Sequence, residues 1–85
     1  MNTAVRDEVA DFVVTNFLFG DPSRLPADDE SLLGSGVVDS TGVLELVEFV
    51  EADLDVSVAD EETVPENFDT IANIAAFVSR KKGDG

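Results

Sequence analysis

The sequence predicts an all-α fold, a small bundle of three main helices plus one short third helix. Apolar residues recur at helical spacing in three stretches, each bounded by glycine, proline or capping side chains. The one alternating stretch, Val56-Ser57-Val58, has no second strand to pair with and reads as extended loop. The 85 residues suffice for one modest core and are too few for two. Residues 1–82 are therefore expected to form a single domain and 83–85 a flexible C-terminal tail.

The first helix is expected from about Thr3 to Phe19, where Val5, Val9, Phe12 and Val13 define an apolar stripe with Phe17 at its edge. Arg6, Asp7, Glu8 and Asp11 lie off the stripe, and Gly20-Asp21-Pro22 supplies the stop. Asn16 projects near the stripe, which implies a fraying end or an amide that caps the following loop. Asp21 to Asp39 is long for a connection in so small a domain, and such loops tend to be functional or disordered. Leu32, Leu33, Val37 and Val38 give it an apolar side to lay on the bundle, and Asp28 to Gly34 suits a single helical turn.

The second helix gives the strongest signal. Val43, Leu46, Val47, Val50 and Leu54 cluster on one face at about 3.6 residues per turn, so it should run from Ser40 or Thr41 to Leu54. Thr41, Glu45, Glu48, Ala52 and Asp55 share the opposite face, with Leu44 and Glu51 beside it. Phe49 sits on a flank and is expected under the following loop. Val64-Pro65-Glu66-Asn67-Phe68 fits one short turn with proline near its start and Phe68 as its core anchor. A last helix begins near Asp69 or Thr70, buries Ile71, Ile74, Ala75 and Val78 with Phe77 flanking, and ends at Arg80, Lys81 and Lys82, where cations suit the helix dipole.

Charge and missing residue types narrow the function. The net charge is -14, and between Leu25 and Ser79 there are fourteen acidic residues and no lysine or arginine. Such a surface repels nucleic acid and anionic membranes and attracts basic proteins. There is no cysteine, so disulfides, thiolate metal sites and a cysteine nucleophile are excluded, which suits a reducing compartment. There is no histidine either, which removes the usual general base and the commonest metal ligand and argues against an independent enzyme. The N-terminal segment has no basic region followed by a long apolar run, so neither a signal peptide nor a membrane span is expected, and the default location is cytoplasmic.

In Gly36-Val37-Val38-Asp39-Ser40 a glycine-bearing loop gives way to a helix at a serine. The bland reading of Ser40 is a helix cap, since serine and aspartate both accept from free N–H groups there. A hydrolase nucleophile would need an adjacent, oriented base. Histidine is absent, and Arg80, Lys81 and Lys82 stand in a segment with little to fix their geometry. The carboxylates from Asp53 onward fail as a calcium loop, because the sixth position is Val58 and the twelfth Val64. Gly34-Ser35-Gly36 is too short for a nucleotide-binding glycine loop and lacks its lysine.

With Val43-Leu44-Glu45-Leu46-Val47 behind it and Val64-Pro65-Glu66-Asn67-Phe68-Asp69-Thr70-Ile71 further on, this stretch resembles an acyl carrier protein over nearly the whole chain. The resemblance implies that Ser40 is esterified by 4'-phosphopantetheine, transferred from coenzyme A by a phosphopantetheinyl transferase. It implies no catalytic or metal-binding residues. Partner enzymes would recognise Asp39, Thr41, Leu44, Glu45, Glu48, Glu51 and Asp55. They would include an acyl- or aminoacyl-loading ligase and basic-surfaced enzymes of fatty-acid, polyketide or specialised metabolite synthesis, visiting a monomer. The family most often has leucine directly after the serine, where this chain has Thr41-Gly42, and Glu48 replaces a commonly apolar position. Both departures point to a specialised carrier.

The chemistry agrees independently. A chain without cysteine cannot hold a thioester, and a serine ester is a poor acyl donor, so the thiol must be borrowed. A phosphodiester at a helix N-terminus is favoured by roughly 0.3–1 kcal/mol, with Asp39 opposing. Two alternatives remain: an aminoacyl or peptidyl carrier loaded by a stand-alone adenylating ligase, and an acidic protein-interaction module with no prosthetic group.

Overall fold

The computed structural model describes residues 3–83. Among these residues lie four α-helices, α1 (Thr3–Phe17), α2 (Ser40–Asp53), α3 (Pro65–Phe68) and α4 (Ile71–Lys81), with 3-10 turns at Pro22–Arg24 and Asp60–Glu62 and no strand. No described helix is long and apolar enough to cross a membrane. Of the expected tail, Gly83 lies in a turn, and Asp84 and Gly85 fall outside the described residues.

The predicted stripes form the core. Val5, Val9 and Val13 of α1 meet Leu46 and Val50 of α2, Phe68 of α3, and Ile71, Ile74, Ala75 and Val78 of α4, all buried. Phe77, expected on a flank, is buried as well, its ring centroid 5.4 Å from that of Phe68. α4 packs on both α1 and α3. Pro65 occupies the first turn of α3, where a missing N–H costs nothing. Thr70 caps α4, its hydroxyl accepting from the Asn73 N–H at 2.9 Å.

Both long helices stop slightly short of expectation. α1 ends at Phe17 because Leu18 turns into the core. Phe19 and Gly20 then take positive φ angles of 55° and 81°, and the Gly20 N–H returns to the Val14 carbonyl at 2.9 Å. Phe19 is left 95 % exposed. Asn16 neither frays nor caps the loop, since its Nδ2 donates to the Phe12 carbonyl one turn back. α2 ends at Asp53, and Asp55, which the helical wheel placed on the acidic face, lies beyond the helix with φ 56°. Aspartate tolerates this left-handed conformation better than most side chains.

The long loop is pinned at several points. Arg6 grips Asp28 with Nε and Nη2, at 2.9 Å to Oδ2 and 2.6 Å to Oδ1, which holds the Asp28 carboxyl below its ordinary range. The Asp28 carbonyl accepts the Ala72 N–H at 2.9 Å. The expected turn at Asp28–Gly34 falls slightly later, the Ser35 N–H closing on the Ser31 carbonyl at 3.0 Å. Leu32 and Val38 are buried beneath it. The basic end of α4 is also fixed, contrary to expectation. Lys81 pairs with Glu62 at 2.9 Å, and Arg80 donates to Asn67 at 3.3 Å.

Candidate functional site

The loop delivers the chain to α2 with Asp39, not Ser40, at the N-cap. Asp39 Oδ1 accepts the Gly42 N–H at 2.7 Å, and its extended backbone turns directly into the helix. The cap reading of Ser40 is thereby displaced by one residue. Ser40 occupies the first helical position and is exposed, and no described residue hydrogen-bonds to its Oγ. Capping is done by a neighbour, so the hydroxyl has no structural duty. It stands beside the free N–H groups of the first turn, where the helix dipole favours negative charge.

What holds Ser40 there is tight packing underneath. Gly42 is buried, and a Cβ on it would come within 2.8 Å of Val38 Cγ1 and 2.9 Å of Phe17 Cε1. Any larger residue would force the Val38 and Phe17 side chains, or the first turn of α2, to move. Gly42 thus has a packing role and presents nothing to a visitor, while Thr41 next to it is exposed. An isolated glycine inside a helical pattern is the sequence signal for such a close approach.

A second device is Asp69, at the junction of α3 and α4. Its carboxylate accepts from the Ser31 hydroxyl at 2.7 Å and from the Leu33 N–H at 3.0 Å, and its carbonyl accepts the Leu32 N–H at 2.6 Å. One residue thereby latches the segment that leads into Ser40. Sequence reasoning assigned Asp69 only a possible cap, because nothing local ties it to a loop 38 residues earlier.

The residues singled out for recognition, Asp39, Thr41, Leu44, Glu45, Glu48, Glu51 and Asp55, are all exposed. Their commitments differ. Glu45 and Glu48 make no ion pair or hydrogen bond to any described residue. Glu51 accepts the Val58 N–H through Oε2 at 3.2 Å, binding the outgoing loop to the helix. Leu44, 58 % exposed, places an apolar side chain one turn from Ser40. Phe49 does not lie under the following loop. Its ring stacks on Phe12 of α1 with centroids 4.3 Å apart and planes at 21°.

The chain has no histidine to act as the usual general base beside Ser40. The arrangement offers an accessible, unengaged hydroxyl and an acidic helix behind it. No protein-family model matches the chain. The "Probable acyl carrier protein PigG" of Serratia sp. (strain ATCC 39006) is 30% identical over 78 residues, covering 92% of this chain and 88% of the relative.

Proposed function

The chain belongs to the acyl carrier protein family, and from that premise we propose that it carries an acyl group as a thioester on 4'-phosphopantetheine attached to Ser40. The observation that supports this best is the division of labour at the start of α2. Asp39 takes the cap, and Ser40 Oγ is left exposed without a partner among the described residues. These residues fit the group: the hydroxyl can become a phosphoester without breaking a structural bond, and the helix N-terminus favours the added negative charge.

When bound, the group supplies the thiol that this cysteine-free chain lacks. The chain's own residues supply attachment, presentation and steering. Ser40 Oγ would take up the phosphopantetheine phosphate as the pyrophosphate bond of coenzyme A breaks and adenosine 3',5'-bisphosphate leaves, the hydroxyl proton passing to a base outside this chain. Gly42, packed on Val38 and Phe17, fixes the height of the first turn, and the Asp69 latch fixes the loop before it. Glu45, Glu48 and Leu44 offer charge and apolar surface beside the attachment point. Charge of this density mainly speeds and orients encounter with basic enzymes. In this reading the protein is a carrier and not itself a catalyst, serving fatty-acid, polyketide or specialised metabolite synthesis.

Incubation with a phosphopantetheinyl transferase and coenzyme A should add the mass of one arm to the wild type and none to Ser40→Ala. An unchanged wild-type mass, or modification that survives Ser40→Ala, overturns the assignment.

A further inference from the structure

Away from Ser40, the outer side of the α1–α2 contact is hollowed. Two adjoining hollows of about 410 and 310 Å³ share Phe12, Asn16, Phe49 and Asp53. Their floor is the stacked pair Phe12–Phe49, both rings only half-buried. Glu8, Asp11 and Asp53 rim the first, and Glu45 and Glu48 rim the second. Among the described residues no cation pairs with this rim, the ion pairs there being Arg6–Asp7, Arg6–Asp28 and Lys81–Glu62. Asn16 adds to the acceptors: its Nδ2 is used on the Phe12 carbonyl, which leaves Oδ1.

We propose that this aromatic-floored groove is a docking site for an arginine presented by a basic surface helix of a partner enzyme. An aromatic floor with a wall of carboxylates and an amide oxygen complements a group that is cationic, rich in donors and apolar on its two faces. Guanidinium meets all three requirements, stacking on a ring while its N–H groups reach carboxylates. The ammonium of lysine is a more strongly hydrated point charge and gains less from the floor. A second copy of this chain is a poor occupant, because two chains each carrying -14 repel. Phe49 follows Ser40 by nine residues, about 13 Å along the helix at 1.5 Å per residue. An arginine side chain held in the groove therefore does not itself reach Ser40. The carrier reading supplies the partner's being an enzyme, but the docking itself does not use Ser40.

The test is an NMR titration of the isotope-labelled full chain at low salt with two synthetic helical peptides, identical except that one bears three arginines and the other three lysines. Amide shifts should centre on Phe12, Asn16, Phe49 and Asp53, with the arginine peptide binding about threefold or more tightly. Phe49→Leu, which keeps the floor apolar but removes the ring, should erase that preference. Asp11→Asn combined with Asp53→Asn should weaken the arginine peptide about fivefold. Melting curves of each variant verify that it is folded. Equal binding of the two peptides, or shifts spread evenly over the acidic surface or confined to Ser40–Leu44, overturns the proposal. Ser40→Ala should bind the peptides as the wild type does, and a loss of affinity there also overturns it. Failure of the carrier reading shows instead in the mass assay, which leaves the titration untouched.

Discussion

The two ends of α2 carry the same kind of chemistry, exposed carboxylates within a turn or two of one another, and the fold uses them in opposite ways. At the N-terminal end one carboxylate, Asp39, takes over the cap, and this frees Ser40. The next two along the exposed face, Glu45 and Glu48, have no partners among the described residues. At the C-terminal end Glu51 is spent on the Val58 N–H, and Asp55 turns the chain through a left-handed residue. A helical wheel ranks these carboxylates together. Their hydrogen bonds separate Glu45 and Glu48, free on the exposed face behind Ser40, from Asp39 and Glu51, each bound to a backbone N–H.

The largest effect should come from Gly42, which seats the N-terminal end of the helix. Gly42→Val places side-chain atoms where Val38 and Phe17 already sit, and overpacking of this kind costs about 1–3 kcal/mol. For a domain of this size that corresponds to a fall in melting temperature of about 4–8 °C per kcal/mol. Modification of Ser40 should slow as well, since the first turn must move. Unchanged stability in Gly42→Val would remove the packing account of the Thr41-Gly42 departure. Asp39→Ala should cost about 1 kcal/mol, the usual value of an N-cap. Asp39→Ser should recover most of that loss. An Asp39→Ala protein as stable as the wild type would mean that Ser40 can take the cap back, and the division of labour would fail.

Much of this was readable in the sequence, and the failures share a cause. The core stripes, the Pro65 start of α3, the Thr70 cap and the position of Ser40 at a helix start follow from spacing and local chemistry, which are properties of neighbouring residues. Phe49 was misplaced because its flank position is compatible with either neighbour, and only the approach of α1 decides for Phe12. The Asp69 latch and the Arg6–Asp28 clamp span 36 to 38 and 22 residues. No periodicity encodes such pairings. Asp55 failed for the opposite reason: the helical pattern continues through it, but its backbone conformation does not. The free set of acidic residues is free because long-range partners were given to others, so availability at this site is a tertiary property.

The segment leading into Ser40 provides a pH-dependent prediction. Arg6 lowers the folded-state value of Asp28 below the ordinary 3.8, mainly by direct hydrogen bonding. A depressed carboxylate contributes stability that is fully present above its unfolded value and is lost as pH falls through the lower folded value. Both side chains are substantially exposed, so solvent screening limits the pair to about 0.5–1 kcal/mol. Asp28→Asn should therefore melt below the wild type at pH 7, with the gap closing progressively below about pH 4. A gap that persists at pH 2 would assign the loss to packing instead of the ion pair.

The smallest effect separates the two sets of glutamates most directly. Glu51→Ala removes the acceptor for an exposed backbone N–H and should cost about 0.5 kcal/mol. Glu48→Ala removes one of many like charges and no bond, so its stability should stay equal or rise slightly at low salt. Raising ionic strength should stabilise the wild type by screening that repulsion, and it should shrink any gain from Glu48→Ala while leaving the Glu51→Ala loss in place. The contrast rests on the sign and salt dependence of two changes that look equivalent in the sequence. If thermal melts at low and moderate salt give the two variants the same behaviour, the carboxylates of α2 form one uniform surface, and the distinction between free and committed carboxylates is lost.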